Sequence, residues 1–219
     1  MGYYFGNNSY EVVDRSRLSE EEIDYENIWG VADENLFTLA LREIDKATQT
    51  NPVFAQIMTT SNHRPFTYPE GRIDIPSHTG REGAVKYTDY AIGKFIREAK
   101  SKPWFNNTLF VIVADHCASS AGKTELPIKK YHIPLLIYSP SCIKSGVASR
   151  MMSQIDIIPT VFGLLNFTYE SHFYGCDIFK LEEGRERAFI STYQSLGYLR
   201  HDTLVVLNPQ KQVMVYKAD

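Results

Sequence analysis

The chain has 219 residues, a formal net charge of −3, and apolar and charged shares of 43 % and 22 %. That length is ample for a sizeable core, and the slightly acidic balance excludes the basic footprint of a nucleic-acid-binding protein. No apolar stretch reaches bilayer-spanning length, no signal-peptide pattern opens the chain, and Cys117, Cys142 and Cys176 have neither disulfide-framework nor zinc-knuckle spacing.

Residues 3–30 read as irregular, with turn signals at Gly6-Asn7-Asn8-Ser9 and an acidic patch at Glu20-Glu21-Glu22. Asp33 is placed to cap a helix running to about Thr48, because Leu36, Phe37, Ala40, Leu41 and Ile44 recur on one face. Asn51-Pro52 stops that helix, and residues 53–58 then read as a buried strand entering the polar cluster 59–65. Residues 66–80 form a long Pro- and Gly-rich loop. A second helix spans about 82–100, with its stripe at Ala84, Ala91, Ile92, Phe95, Ile96 and Ala99.

Residues 108–114 are rich in β-branched and aromatic side chains without polar alternation, which predicts a strand buried on both faces of a parallel sheet. A Gly/Ser loop, a strand at 133–138 and a short helix at about 154–165 follow; Pro159 lies close enough to the helix start to be tolerated. Residues 188–193, 203–207 and 212–216 read as strands of a small antiparallel sheet, the last two joined across Asn208-Pro209-Gln210. The alternation of strand and helix before them predicts an α/β fold with right-handed parallel crossovers.

The chemistry-bearing residues cluster where two of these strands end. Asp115 and His116 close the run at 108–114, where α/β proteins place ligands, and both side chains can bind a divalent metal. The plainer alternative is that Asp115 caps the next turn with His116 on a solvated loop. His63 lies in the polar cluster after the other strand, so the two clusters are expected on one sheet edge. Arg64 suits a phosphate fork or a structural ion pair. Lys123 can reach an anionic head group or stand solvated. Ser119 and Ser120 lack the setting of a nucleophile elbow and read as loop. His132 is expected to hydrogen-bond a neighbouring loop and Cys117 to pack as a small apolar residue. Trp29 and Tyr68 could stack on a glycerol or sugar, with burial the default.

Six segments occur in order: 29–37 (Trp-Gly-Val-Ala-Asp-Glu-Asn-Leu-Phe), 60–66 (Thr-Ser-Asn-His-Arg-Pro-Phe), 87–96, 111–116 (Val-Ile-Val-Ala-Asp-His), 132–140 and 154–160 (Gln-Ile-Asp-Ile-Ile-Pro-Thr). Together they resemble the sulfatase-type catalytic domain of the lipoteichoic acid synthase and phosphoglycerol transferase family, within the alkaline phosphatase superfamily. The resemblance implies an alkaline-phosphatase-like three-layer α/β sandwich with a mostly parallel sheet. Residues 1–180 would be the C-terminal half of that catalytic domain and 181–219 a small antiparallel subdomain of it.

The resemblance further implies a membrane-anchored bacterial enzyme whose domain lies on the periplasmic or extracellular side. Such an enzyme moves a phosphoglycerol head group from a phospholipid to a glycan or polymer acceptor. It uses a divalent metal, manganese first, with magnesium or zinc as alternatives. Asp115 and His116 match family metal ligands, and His63 matches the histidine that contacts the substrate phosphate. The family's nucleophilic threonine and acidic metal ligand precede the stretch matched here, so no nucleophile is assigned among these residues. The isolated chain is accordingly expected to be inactive, and to need the other half of the domain as a partner to cover its exposed sheet edge. Other readings on the same fold are sulfate- or phosphate-ester hydrolysis and phosphoethanolamine transfer; no cysteine here has a Cys-x-Pro-x-Arg setting. A non-catalytic piece is the remaining alternative.

Overall fold

A computed structural model of the chain describes residues 2–118 and 126–218. They fall into two compact units, Met1–Thr108 and Leu109–Asp219.

In the first unit the irregular start contains one short exposed helix, α1 (Gly2–Asn7). Strands β1 (Glu26–Asn27) and β2 (Gly30–Val31) pair antiparallel, so Ile28 and Trp29 form a hairpin tip. Gly30 there adopts φ 143°, a conformation that L side chains rarely take. The two expected helices follow as α2 (Asp33–Ala47) and α3 (Arg81–Ala99). Phe37 of α2 stacks on Phe95 of α3 at 4.8 Å, as the apolar stripes require. The most deeply buried apolar residue of α2 is nevertheless Leu39, on its other flank against Leu18 and Val31. A single-stripe reading misses it because this helix is covered on two sides.

Two expectations for the first unit are corrected. Asp33 does not cap α2: Ala32 is the N-cap, Asp33 is the first helical residue, and its carboxylate bonds the backbone of Thr60 and Ser61 instead. Residues 53–58 form no strand, and Val53, Phe54 and Met58 are exposed. An apolar run becomes a strand only when neighbouring strands satisfy its backbone, and among the described residues no segment pairs with this one.

The loop 66–80 carries no helix or strand, as expected, yet it supplies core. Tyr68 is buried, stacks on Tyr87 of α3 at 5.0 Å, and donates its hydroxyl to the carbonyls of Ile75 and Pro76. Gly83 makes room for it, because a Cβ at that position would lie 2.1 Å from the Tyr68 hydroxyl. Buried Glu34 fastens α2 to this loop and to α3, accepting from Arg72 Nε (2.9 Å), Tyr87 Oη (3.2 Å) and Lys94 Nζ (3.0 Å). Burial, reinforced by the Glu34 charge, holds the Tyr87 phenol far above its ordinary pKa.

In the second unit β3 (Phe110–Val113) and β4 (Leu135–Tyr138) pair antiparallel, with α4 (Ile128–Tyr131) between them in sequence. The expected parallel pairing is therefore not what β3 makes: every strand pair among the described residues is antiparallel. Nor is β3 buried on both faces: Val111 and Val113 stay exposed, and among the described residues β4 alone pairs with it. A 3-10 turn at Gln154–Asp156 leads into α5 (Ile157–Leu164), close to the expected helix.

The C-terminal sheet is antiparallel as expected but has four strands in sequence order: β5 (Ala188–Ser191), β6 (Leu196–Arg200), β7 (Thr203–Leu207) and β8 (Val213–Lys217). Strand β6 is hidden in sequence by Gly197, a weak strand former. One face of the sheet, carrying Ile190, Leu199, Leu204 and Val206, packs with Leu126 as the core of this unit.

Candidate functional site

The polar cluster after residue 58 is folded back on itself by two backbone bonds, His63 N to Thr60 O (3.0 Å) and Phe66 N to His63 O (2.7 Å). Its start is fixed from below. Asp33 Oδ1 accepts from both Thr60 N and Ser61 N at 3.0 Å, and Thr88 Oγ1 of α3 donates to Oδ2 at 3.0 Å. Ser61 Oγ returns the bond by accepting from Asp33 N. Its far end is tied to the β1–β2 hairpin: Asn27 donates Nδ2 to Thr67 and accepts from Trp29 N through Oδ1.

His63 and Arg64 are both exposed on this braced loop. The Trp29 indole stands against the His63 ring with centroids 3.9 Å apart, and Trp29 Nε1 donates to Arg64 O at 2.6 Å. His63 Nδ1 lies 3.0 Å from the same carbonyl oxygen. A carbonyl only accepts, so Nδ1 carries a proton in that contact, and Nε2 is the nitrogen without a partner among the described residues. The Arg64 guanidinium makes no hydrogen bond or ion pair among the described residues, which removes the structural-bridge alternative within them.

At the end of β3, Gln154 Nε2 donates to the carbonyls of both Ala114 (3.0 Å) and Asp115 (2.7 Å). Asp115 Oδ1 accepts from the adjacent His116 N at 2.9 Å, a bond within the bend that reaches no N–H further along the chain. The other, Oδ2, faces His116 Nε2 at 3.6 Å, with the two side chains 80 % and 69 % exposed. His116 Nδ1 lies 2.8 Å from Cys117 O and therefore donates, so Nε2 is the nitrogen nearest the carboxylate. An imidazole nitrogen and a carboxylate oxygen at that separation take either a proton or a cation between them. Carboxylate oxygen and imidazole nitrogen are ordinary donors to a divalent ion, and an Nδ1–H bonded to a carbonyl is the usual outer support of a metal-binding imidazole. The pair thus fits as two ligands of a metal site. No third His, Cys, Asp or Glu completes such a cluster among the described residues.

The Gln154 brace is itself anchored. Asp156, fully buried, accepts from Ser153 N (2.8 Å) and Cys176 N (2.9 Å) and takes a two-pronged bond from Arg187 at 2.7 and 2.8 Å. Burial pushes its carboxyl up, but Arg187 and the backbone donors outweigh that and leave it below the usual range.

Of the remaining candidates, Lys123, Ser119 and Ser120 lie outside the described residues. Cys117 is buried, as expected. His132 is exposed and makes no hydrogen bond among the described residues, against the expected loop contact. Trp29 is 49 % exposed rather than buried, because His63 and the Arg64 carbonyl offer one face and one acceptor but no enclosing wall. Sequence reasoning missed Asp33, Gln154 and Asp156 as supports. The available signal was their place inside the ordered segments 29–37 and 154–160.

The family model for sulfatases matches residues 1–167. The chain belongs to the sulfatase family. Lipoteichoic acid synthase 1 of Bacillus subtilis is 24 % identical over 232 aligned residues, spanning 93 % of this chain and 34 % of that protein. The lipoteichoic acid synthase of Staphylococcus aureus strain NCTC 8325 is also 24 % identical, over 69 % of this chain and 28 % of its own length. A crystal structure of an alkaline phosphatase superfamily protein from Vibrio parahaemolyticus superposes with a TM-score of 0.84 at 36 % identity, covering 90 % of this chain and 49 % of that one. The crystal structure of Ps i-CgsB, with a TM-score of 0.66 at 19 % identity over 86 % and 48 % of the two chains, shares the fold alone. The fold of this sulfatase-family chain is therefore that of the alkaline phosphatase superfamily, with a four-stranded antiparallel sheet at its C-terminal end. The chain spans about a third of the curated relatives' length and about half of the solved neighbour's.

Proposed function

We propose that these residues form the metal- and phosphate-binding part of a phosphoglycerol transferase domain. The observation that carries the reading is the Asp115 Oδ2–His116 Nε2 pair, exposed, 3.6 Å apart and oriented by a carbonyl behind the imidazole. Identity to two lipoteichoic acid synthases supports the choice of reaction. Asp115 and His116 hold a divalent cation, manganese first, with magnesium or zinc as alternatives. When bound, that ion supplies Lewis acidity to a phosphate oxygen and to a hydroxyl nucleophile. The nucleophile is a threonine outside these residues. His63, cationic and donating through Nε2–H, holds a non-bridging phosphate oxygen or assists the leaving group, and Arg64 and Lys123 neutralise phosphate charge. The donor is a phospholipid head group and the acceptor a glycan or polymer, on the outer face of a bacterial cytoplasmic membrane to which the complete protein is anchored. Residues 1–180 belong to the catalytic domain, and 181–219 are its antiparallel subdomain.

The test uses the complete gene product in phosphatidylglycerol membranes with manganese, following diacylglycerol release and phosphoglycerol appearing on an acceptor. Activity should vanish with chelator, return with manganese, and be lost in Asp115→Ala, whose calorimetric manganese titration should be flat. Turnover of an aryl sulfate with no lipid cleavage would replace this reading by ester hydrolysis, which the sulfatase family model favours as the second reading.

A further inference from the structure

Trp29 is a large apolar side chain left half exposed at a hairpin tip, where burial gives it little. Two bonds nevertheless hold it, and a third ties its anchor to the loop. Its N–H is held by Asn27 Oδ1 at 2.8 Å, the same Asn27 is bonded to Thr67 at the far end of the His63 loop, and its indole N–H donates to Arg64 O at 2.6 Å. That carbonyl oxygen has two lone pairs, and the second takes His63 Nδ1 at 3.0 Å. The indole also stands against the imidazole, with ring centroids 3.9 Å apart and ring planes tilted by 45°.

The geometry points to Trp29 as the positioning residue of His63. By holding the Arg64 carbonyl in place it keeps a proton on Nδ1, and with its ring tilted against the imidazole it limits rotation, so that Nε2 stays the nitrogen away from that carbonyl. A free neutral imidazole exchanges between tautomers and rotates; this one has a single acceptor, placed by the indole, and the indole ring against it. Trp29 itself touches no substrate and acts only through His63. The inference rests on the reading of His63 as a phosphate contact: with Nδ1–H held by the carbonyl, Nε2 is the atom that takes up a second proton, given by the bound phosphate monoester, and donates it back to a phosphate oxygen.

The experiment is long-range proton–nitrogen NMR on the complete chain labelled at histidine nitrogens, with His63 assigned by difference from His63→Gln. Spectra are recorded well above the ordinary imidazole titration range. The wild type should show a protonated, slowly exchanging Nδ1 and an unprotonated Nε2. Trp29→Phe keeps an aromatic face but removes the indole N–H. It should release the Arg64 carbonyl, shift His63 to a mixture of tautomers, and weaken glycerol phosphate binding about three- to tenfold. Its melting temperature should stay that of the wild type. A wild-type His63 protonated on Nε2 overturns the inference without any variant. So does a Trp29→Phe spectrum and affinity identical to wild type. A wild-type His63 signal unmoved by glycerol phosphate instead removes the phosphate-contact reading, while the tautomer comparison still decides the role of Trp29.

Discussion

The His63 loop in the first unit and the Asp115 strand end in the second reach the same result by opposite electrostatic means. Each presents an exposed imidazole with Nδ1 engaged by a carbonyl, and each depends on one fully buried aspartate. Asp33 works directly on the loop, through two backbone N–H groups and one hydroxyl, all neutral, at the positive end of α2. Asp156 works one step removed: its ion pair with Arg187 fixes the turn whose Gln154 grips the Ala114 and Asp115 carbonyls. A buried carboxylate can thus be satisfied by dipoles where it must touch a loop, and by a full counter-charge where it anchors a turn.

The counter-charge version is the costlier to break. Asp156→Ala strands Arg187, only 12 % exposed in its side chain, without its partner. The expected loss is about 3–5 kcal/mol, read as a shift in urea midpoint. The same pair predicts the acid limb. Its folded pKa lies below the ordinary 3.8, so its stabilisation is complete above that value and drains away as pH falls from 3.8 through the lower folded pKa. Asp156→Asn should be less stable near neutrality and show a shallower decline over that acid window. An unchanged acid limb in Asp156→Asn would mean that other carboxylates dominate.

Asp33→Ala should cost somewhat less, about 2–4 kcal/mol, because it leaves two backbone N–H groups and a hydroxyl unpaired rather than a buried charge. It should also weaken glycerol phosphate binding more than Asp156→Ala does, since it loosens the His63 loop directly. Equal effects of the two substitutions on that ligand would erase the distinction between direct and relayed support.

Much of this frame is legible from periodicity alone. The stripes of α2 and α3 and the strands at 188–191, 203–207 and 213–217 follow from local patterns that the fold keeps. Residues 53–58 and the pairing partner of β3 are not legible, because whether an apolar run is paired, and in which direction, depends on segments far away in sequence. The site divides the same way. Asp115 and His116 are adjacent in the chain, so their proximity is assured, but which imidazole nitrogen faces the carboxylate is set by the Cys117 carbonyl and is invisible in a motif. Trp29 and His63 come together only because a hairpin tip folds onto a loop 34 positions later.

The relay can be cut at its middle without touching the buried pair. Gln154 is exposed and spans two carbonyls, so Gln154→Ala should cost only about 1 kcal/mol of stability. Because those carbonyls fix the backbone of Asp115, manganese affinity should fall about tenfold or more, the usual penalty for removing outer support from a ligand. Calorimetry separates the two effects. Affinity unchanged in Gln154→Ala would leave the strand end itself, rather than the relay, as what orients Asp115.

The smallest structural effect is expected at Arg64. Its carbonyl is fully engaged, by Trp29 Nε1 and His63 Nδ1, while its guanidinium bonds nothing among the described residues. Backbone and side chain of one residue therefore serve separate ends, and Arg64→Ala should leave the melting temperature where it is. The carbonyl persists in alanine, so the His63 tautomer should persist too. Glycerol phosphate affinity should still fall about tenfold, the worth of one charge-assisted phosphate contact, and Arg64→Lys should recover only part of it, since an ammonium cannot offer a planar fork. A full loss of stability in Arg64→Ala would show the guanidinium to be part of the brace. Full binding in the same variant would show that the loop holds His63 alone to the phosphate.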